Sequence, residues 1–168
     1  ARQGMDLYMT QMLDHGFFHA DPHAGNIFVL FDGRIAFIDF GIMVSLMPSD
    51  RENLEDLILF LIRKEPEKFV ATLKKVAVDY SVKNEDELVR GVFELIEMVS
   101  TSSLNKINFG KTINQLKMLL QENDVTLPEY LYLLMKGIVL LESIERKLDP
   151  EINLAEILKP YTEAIVEK

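Results

Sequence analysis

Cysteine is absent from the 168-residue sequence, so disulfide bonds and thiolate chemistry are excluded. Positive charge is scarce as well: 18 Lys and Arg residues stand against 27 Asp and Glu residues, and the net charge is −9. Because the basic residues form no dense block, the sequence argues against nucleic acid as a partner. An acidic protein can still bind anionic phosphates when a metal ion or a local cluster of N–H groups neutralises them.

Long hydrophobic runs are also missing. The most apolar stretch, residues 130–141, contains Lys136 and is much shorter than the run of about 20 apolar residues that a transmembrane helix needs. We therefore expect a buried helix there and no transmembrane segment in this chain. No signal-peptide pattern is recognisable.

Hydrophobic residues make up 48% of the chain, which is enough to form the core of one domain. Apolar residues at helical spacing predict a first helix over 3–15, which Gly16 ends. The turn sequence Asp32-Gly33 predicts a β-hairpin formed by 27–31 and 35–38. The first part of the chain therefore combines a helix with a small hairpin.

From Pro48 onward the periodicity predicts helices only. The sequence Ser49-x-x-Glu52 is typical of a capping box at the start of the first of them. A polar loop is predicted over 100–109. We expect a mainly α fold with a small β-hairpin, in which residues 1–47 carry the first helix, the loops and the hairpin, and residues 48–168 form a helical subdomain.

Polar residues interrupt the apolar stretch GFFHADPHAGNIFVLFDGRIAFIDFG, residues 16–41, at fixed distances. Asp21 precedes Asn26 by five positions, and Asn26 precedes Asp39 by thirteen. All three are predicted on loops that flank the hairpin. This layout suits phosphoryl transfer from a nucleotide, in which one carboxylate meets the acceptor and hard oxygen ligands hold Mg²⁺ against the phosphates.

The spacing resembles the protein-kinase signature, a catalytic loop H-R-D-x-x-x-x-N followed by D-F-G. His19-Ala20-Asp21 stands where H-R-D would stand, Asn26 has the matching offset, and Asp39-Phe40-Gly41 is literal. The fuller strings FFHADPHAGNIFV and IAFIDFG closely resemble the UbiB family of atypical kinase-like proteins, whose members carry D-P-H-P-G-N and then D-F-G. The later string LPEYLYLLMKGIVLLESIERKLDPEIN is similar to the C-terminal helices of that family.

The resemblance covers nearly the whole chain and implies the C-terminal lobe of a protein-kinase-like fold. It implies ATP and Mg²⁺ as cofactors, and an atypical kinase or ATPase of ubiquinone biosynthesis or, more broadly, of quinone or isoprenoid-lipid metabolism. The family's K-x-G-Q extension, alanine-rich nucleotide loop and ATP-contacting lysine are not in these residues, so we expect the N-terminal lobe of the same protein as a missing partner. Ala24 replaces the family's usual proline, which should loosen the loop without removing a ligand.

The resemblance also implies roles for individual residues. Asp21 is expected to position or deprotonate the acceptor. His23 is expected to contact the transferring phosphate or the acceptor, with bracing of the loop as the alternative. Asn26 and Asp39 are expected to bind Mg²⁺ and, through it, the nucleotide.

Four further residues of the same stretch are expected to support the site. His19 is expected to brace the catalytic loop and the D-F-G segment. Gly25 is expected to adopt a backbone torsion that a side chain would forbid. Phe40 is expected to pack in the core, and Gly41 completes the D-F-G segment.

The segment after D-F-G bears on the acceptor. Only residues 42–48 separate Gly41 from the next helix, and no A-P-E sequence occurs. The platform on which protein kinases hold a peptide is therefore absent, which favours a small-molecule or lipid-like acceptor, or ATP hydrolysis. The expected location is the cytoplasm of a bacterium or an organelle matrix, including a peripheral position on a membrane surface.

Two alternatives stay open at this stage. Small-molecule kinases of the aminoglycoside- or choline-kinase type share an H-x-D-x-x-x-x-N loop, although they usually have H-G-D-L-H. A pseudokinase-like scaffold that binds a lipid or a partner protein is the non-catalytic alternative. The Asp21-Pro22 pair and the later helices favour the UbiB family over the first, and the intact set of metal-site residues argues against the second.

Overall fold

The first part of the chain combines one helix with two short strand pairs. The computed structural model describes residues 2–101, 108–152 and 154–167. Helix α1 (Arg2–Met9) continues as a π-helix over Thr10–Asp14. The elements that follow are strand β1 (Phe17–His19), a 3-10 turn (Ala24–Asn26), and strands β2 (Ile27–Val29), β3 (Ile35–Phe37) and β4 (Met43–Ser45).

These strands form two antiparallel pairs. Strand β2 pairs with β3, and the connecting turn contains Gly33 at φ 84°, a backbone conformation that glycine adopts without strain. The hairpin predicted from Asp32-Gly33 is therefore confirmed. Strand β1 pairs with β4, with Phe18 opposite Val44. The sequence pattern does not predict this second pair, because its members are short and far apart in the chain.

The rest of the chain is mainly helical, and the predicted mainly α fold with a small hairpin is confirmed. The expectation of helices only is wrong at one place, because β5 (Asp79–Tyr80) pairs with β6 (Val125–Thr126). Two-residue strands are too short to show an alternating pattern. Most of the predicted loop over 100–109 lies outside the described residues. The helices are α2 (Pro48–Ile62), α3 (Pro66–Val76), α4 (Glu85–Thr101), α5 (Phe109–Glu122), α6 (Glu129–Leu148) and α7 (Leu154–Val166).

Helix α2 begins differently from the prediction. It starts at Pro48, so Asp50 occupies its third position and accepts a hydrogen bond from the Met47 N–H at 3.1 Å. The capping box predicted at Ser49 and Glu52 is therefore wrong. The reason is that proline is favoured at the first position of a helix, so the N-cap is Met47, two residues before the predicted Ser49.

The apolar stretch 130–141 lies within α6, and much of it is buried, as predicted. Within the part of the chain that the structure describes, no helix has both the length and the apolar character needed to cross a membrane.

Helix α6 approaches α1 closely at Gly137. A Cβ at this position would overlap the hydroxyl of Tyr8 and would lie 2.7 Å from Cζ of the same ring. Tyr8 is fully buried and packs edge-to-face on Phe18 of β1, with 5.8 Å between ring centroids. Because interiors are close-packed, the contact between Gly137 and Tyr8 sets the spacing between α6 and α1.

Tyr8→Phe is expected to raise the free energy of unfolding by about 1 kcal/mol. The Tyr8 hydroxyl is buried and has no hydrogen-bond partner within the described residues, and burial raises its pKa. An unpaired buried hydroxyl costs about 1–3 kcal/mol, and that cost disappears with the oxygen. Denaturant unfolding of the two proteins measures the difference.

The matched control for this change is Tyr132→Phe. The Tyr132 hydroxyl accepts a hydrogen bond from the Leu127 N–H at 3.2 Å, so removing it should destabilise the protein by about 1 kcal/mol. Equal destabilisation by both substitutions would contradict the assignment of an unpaired hydroxyl to Tyr8.

Candidate functional site

Segment 19–26, the predicted catalytic loop, and the D-F-G segment 39–41 lie side by side, because backbone hydrogen bonds join the chain around them. The Ala20 N–H donates to the carbonyl of Ile42 at 2.9 Å, and the Ile38 N–H donates to the carbonyl of Asn26 at 3.2 Å. The first bond follows the β1–β4 ladder and the second extends the β2–β3 hairpin. Both loops therefore emerge from the same small β framework.

His19 lies at the end of β1 and is almost fully buried. Its Nδ1 accepts a hydrogen bond from the Asp21 N–H at 3.0 Å, and its Nε2 bonds the main-chain carbonyl of Asp39. The neutral tautomer with its proton on Nε2 satisfies both contacts. The ring also stacks on Phe37 at 5.4 Å between centroids. One buried side chain thus links the catalytic loop to the D-F-G segment.

Asp21 points its carboxylate at Lys136 of α6. The Lys136 Nζ lies 2.9 Å from Oδ1, whereas the second oxygen, Oδ2, lies 3.7 Å from Nε2 of His23. The hydrogen bond from Lys136 is the main cause that lowers the pKa of Asp21 below its ordinary value, and the positive charge of Lys136 acts in the same direction. The carboxylate is therefore ionised at neutral pH and remains partly accessible to a ligand.

His23 forms the cap of the 3-10 turn, since its Nδ1 accepts a hydrogen bond from the Gly25 N–H at 3.1 Å. Its side chain is about half exposed. Gly25 does not have the left-handed torsion that the sequence predicts, so that expectation is wrong. The close neighbour of Gly25 is instead the His23 ring, which would lie 3.0 Å from a Cβ at position 25.

Asn26 and Asp39 differ in how they are held. Asn26 is buried, and its Nδ2 donates to the main-chain carbonyl of Asp21 at 3.3 Å. Asp39 is exposed, and its Oδ1 accepts a hydrogen bond from the Gly41 N–H at 2.8 Å. An amide oxygen and a carboxylate are both hard ligands of the kind that Mg²⁺ prefers.

Phe40 is not in the core. It is 62% exposed, and its ring centroid lies 6.2 Å from that of His19. The expectation that Phe40 packs inside is therefore wrong. The physical reason is that residues 39–41 turn outward from the hairpin, and within the described residues no layer of side chains covers them.

Among the described residues, no metal site made of His, Asp and Glu side chains alone is preformed. Within residues 2–101, 108–152 and 154–167, no three His, Asp or Glu side chains are grouped so that they could hold a metal ion. One amide and one carboxylate fit a Mg²⁺ ion that takes its remaining ligands from water and nucleotide phosphates, which is how proteins usually bind Mg²⁺.

Lys136 is the site residue that the sequence analysis missed. It follows Asp21 by 115 positions, so no local spacing connects the two. The available signal was a single charged residue inside the most apolar stretch of the chain. A charge in such a position needs a partner when it faces other protein groups.

Comparison with known proteins gives matches to two family models. The family model described as the ABC1 atypical kinase-like domain matches residues 1–73, and the model described as the UbiB helical domain matches residues 92–153. The boundary between the two matches falls within the helical part of the chain.

Several curated relatives are similar over almost the whole chain. An uncharacterized protein of Synechocystis sp. is 32% identical over 164 residues, which are 95% of this chain and 28% of that protein. An uncharacterized protein of the hydrogenase 1 5′ region of Clostridium pasteurianum is 27% identical over 157 residues, which are 94% of this chain and 29% of that protein. A second uncharacterized protein of Synechocystis sp. is 28% identical over 160 residues, 94% of this chain and 23% of its own length. The chain thus spans less than a third of the length of these relatives. No solved structure is significantly similar to it.

Proposed function

The chain belongs to the UbiB family of atypical kinase-like proteins, and we propose that it forms the C-terminal lobe of a protein that binds Mg-ATP and acts as an atypical kinase or ATPase. The relatives' greater length supports the proposal that a further, nucleotide-covering lobe belongs to the same protein. We call the protein that contains both lobes the longer protein.

The single observation that carries this proposal is the linkage of three candidate residues into one framework. Asn26 is bonded to the carbonyl of Asp21, and His19 bonds both the N–H of Asp21 and the carbonyl of Asp39. These bonds fix the main chain at Asp21 and Asp39 and the side-chain amide of Asn26, from which the groups expected to meet the acceptor and to bind metal extend. Phosphoryl transfer depends mainly on such positioning and on charge neutralisation.

In this proposal Asp21 orients the acceptor hydroxyl, or a water molecule, through Oδ2. The acceptor oxygen bonds to the γ-phosphorus, the bond from that phosphorus to the β–γ bridging oxygen breaks, ADP leaves, and Asp21 receives the acceptor proton. Asn26 and Asp39 would hold Mg²⁺, which neutralises the phosphate charge when it is bound. His23, half exposed and next to Asp21, would contact the phosphate or the acceptor.

The acceptor in this proposal is a small molecule or a lipid-like compound of quinone or isoprenoid metabolism. The family resemblance supports the pathway, and the short segment between Gly41 and Pro48 supports the absence of a peptide platform. A location in the cytoplasm or an organelle matrix, with access to a membrane surface, fits such an acceptor.

Nucleotide binding to the longer protein tests the proposal. We expect calorimetric titration with ATP to show binding that depends on Mg²⁺ and weakens when the metal is chelated. Residues 1–168 alone are expected to show no measurable ATP turnover, because a kinase-like fold holds ATP between two lobes.

The possible results separate the candidate functions. Robust Mg²⁺-dependent hydrolysis by residues 1–168 alone would contradict the two-lobed site. Absence of ATP binding by the longer protein would contradict the proposed function and favour a scaffold. If the longer protein binds Mg-ATP but shows no turnover, whether or not candidate acceptors are added, the result would favour a pseudokinase.

A further inference from the structure

A lysine from the helical part of the chain reaches the catalytic loop. Lys136 lies on α6 among buried apolar residues, yet its side chain is about half exposed and its Nζ lies 2.9 Å from Oδ1 of Asp21. The ion pair between Arg146 and Glu142, by contrast, joins two residues of α6 itself. The Lys136 ammonium is directed at a candidate catalytic carboxylate, which indicates a role in the site and not only in keeping the surface of the protein soluble.

The hydrogen bonds of Asp21 account for every polar group of the residue except one oxygen. Its N–H is bonded to His19, and its main-chain carbonyl accepts from Asn26 Nδ2 at 3.3 Å and from the His23 N–H at 2.8 Å. Its Oδ1 is bonded to Lys136. The remaining oxygen, Oδ2, lies 3.7 Å from His23, which is beyond hydrogen-bond distance. Oδ2 is therefore the oxygen left for an acceptor.

The position of Lys136 relative to the loop is fixed by packing. Its neighbour Gly137 touches Tyr8 so closely that no larger residue fits. Tyr8 packs on Phe18, which directly precedes His19. Helix α6 therefore lies at a set distance from the end of β1, and the backbone of Lys136 cannot move away from Asp21 without disturbing this contact.

We propose that Lys136 is a positioning residue that holds Oδ1 of Asp21 and thereby directs Oδ2 toward the acceptor. This inference rests on the proposed function and adds that the helical subdomain contributes directly to the catalytic loop. A free carboxylate rotates about its Cα–Cβ and Cβ–Cγ bonds, so a fixed partner on one oxygen reduces the number of orientations of the other. The ammonium does not touch the reacting atoms in this role.

Lys136→Met in the longer protein tests the inference, because methionine keeps an apolar stem and removes the charge. We expect kcat for ATP hydrolysis to fall about 10-fold, less than the roughly 10²-fold that a full 1 Å misplacement costs. The KM for Mg-ATP should stay within about twofold, since the metal-site residues keep their contacts. Lys136→Arg, which preserves the charge, should restore most of the lost kcat.

If the ion pair only stabilises the packing of α6 against the loop, the substitution should have a different effect. It would then lower the melting temperature and change kcat and KM together. A positioning role instead changes kcat and leaves the melting temperature unchanged. Lys74→Met is the matched control, because Lys74 forms a comparable exposed ion pair with Glu85 at 3.1 Å on another part of the surface. It should leave kcat unchanged. If Lys136→Met melts early, Lys136→Gln provides a polar neutral variant for the same comparison.

The outcomes distinguish this inference from the function on which it rests. A wild-type longer protein that neither binds nor hydrolyses Mg-ATP would overturn both. An active wild type whose Lys136→Met or Lys136→Gln variant keeps kcat at normal stability would overturn the positioning role alone. A lower kcat that Lys136→Arg fails to restore, or an equal loss in Lys74→Met, would also overturn it.

Discussion

Asp21→Asn in the longer protein is expected to lower kcat by about 10²–10⁴-fold while the affinity for Mg-ATP stays close to that of the wild type. This is the range that removal of a positioned general base typically costs. The affinity should be retained because the two proposed metal ligands, Asn26 and Asp39, are unchanged. A change confined to the transition state affects kcat far more than nucleotide binding.

The surroundings of Asp21 make asparagine a suitable replacement. The loop is held through the main chain of residue 21, by His19 on the N–H and by Asn26 on the carbonyl, and neither bond needs the carboxylate. An asparagine Oδ1 can still accept from Lys136. What is lost is the negative charge. The Lys136 contact holds the pKa of the Asp21 carboxyl below its ordinary value, so this group is ionised at neutral pH in the wild type.

The measurement combines steady-state kinetics, ATP titration and a thermal melt. Asp32→Asn is the matched control, because Asp32 is an exposed aspartate of the hairpin turn that pairs with Arg34 at 2.7 Å, in a role that serves the turn alone. It should leave kcat unchanged. A folded Asp21→Asn protein with wild-type kcat would remove Asp21 from the mechanism and leave the loop without a base.

Local sequence spacing predicts much of this fold. The hairpin follows from Asp32-Gly33 and the short apolar runs beside it, and both signals lie within about a dozen residues. The five-residue interval between Asp21 and Asn26 is likewise local, and it places the two residues at opposite ends of one loop. The structure adds the bond from Asn26 to the main chain of Asp21, which the spacing does not reveal.

Features that depend on distant parts of the chain could not be predicted. Phe40 is apolar, but its burial depends on whether another layer covers the D-F-G segment, and in the described residues none does. The ion pair between Lys136 and Asp21 depends on how α6 packs against α1, which the small residue Gly137 permits. Sequence periodicity indicates which face of α6 is apolar, but it carries no information about the partner of its one central charge.

Asp39→Asn is expected to weaken Mg-ATP binding by the longer protein about 100-fold or more, with little change in stability. Removal of a residue that merely supports a metal ligand typically costs 10–100-fold in metal affinity, so loss of the proposed ligand itself belongs at or above the upper end. Asp39 is exposed, and substitutions at such positions usually change stability by less than about 0.5 kcal/mol.

The contacts of Asp39 favour a selective effect on the metal. Its Oδ1 accepts from the Gly41 N–H at 2.8 Å, and an asparagine oxygen can accept the same bond. Its main-chain carbonyl bonds His19 whichever side chain is present. The D-F-G backbone should therefore keep its shape, and the substitution removes one negative charge from the place where a divalent cation would bind.

The dependence on Mg²⁺ concentration provides the decisive measurement. ATP is titrated at several fixed Mg²⁺ concentrations, with Asp32→Asn as the control, and the variant should need a higher Mg²⁺ concentration for half-maximal binding. Asn26 offers a less selective test, because its amide also anchors Asp21 and a substitution there would disturb the metal and the base together. If Asp39→Asn binds ATP as tightly as the wild type at every Mg²⁺ concentration, Asp39 is not a metal ligand. If it weakens binding equally in the absence of Mg²⁺, its charge or its loop acts on the nucleotide directly, and the metal must be held elsewhere.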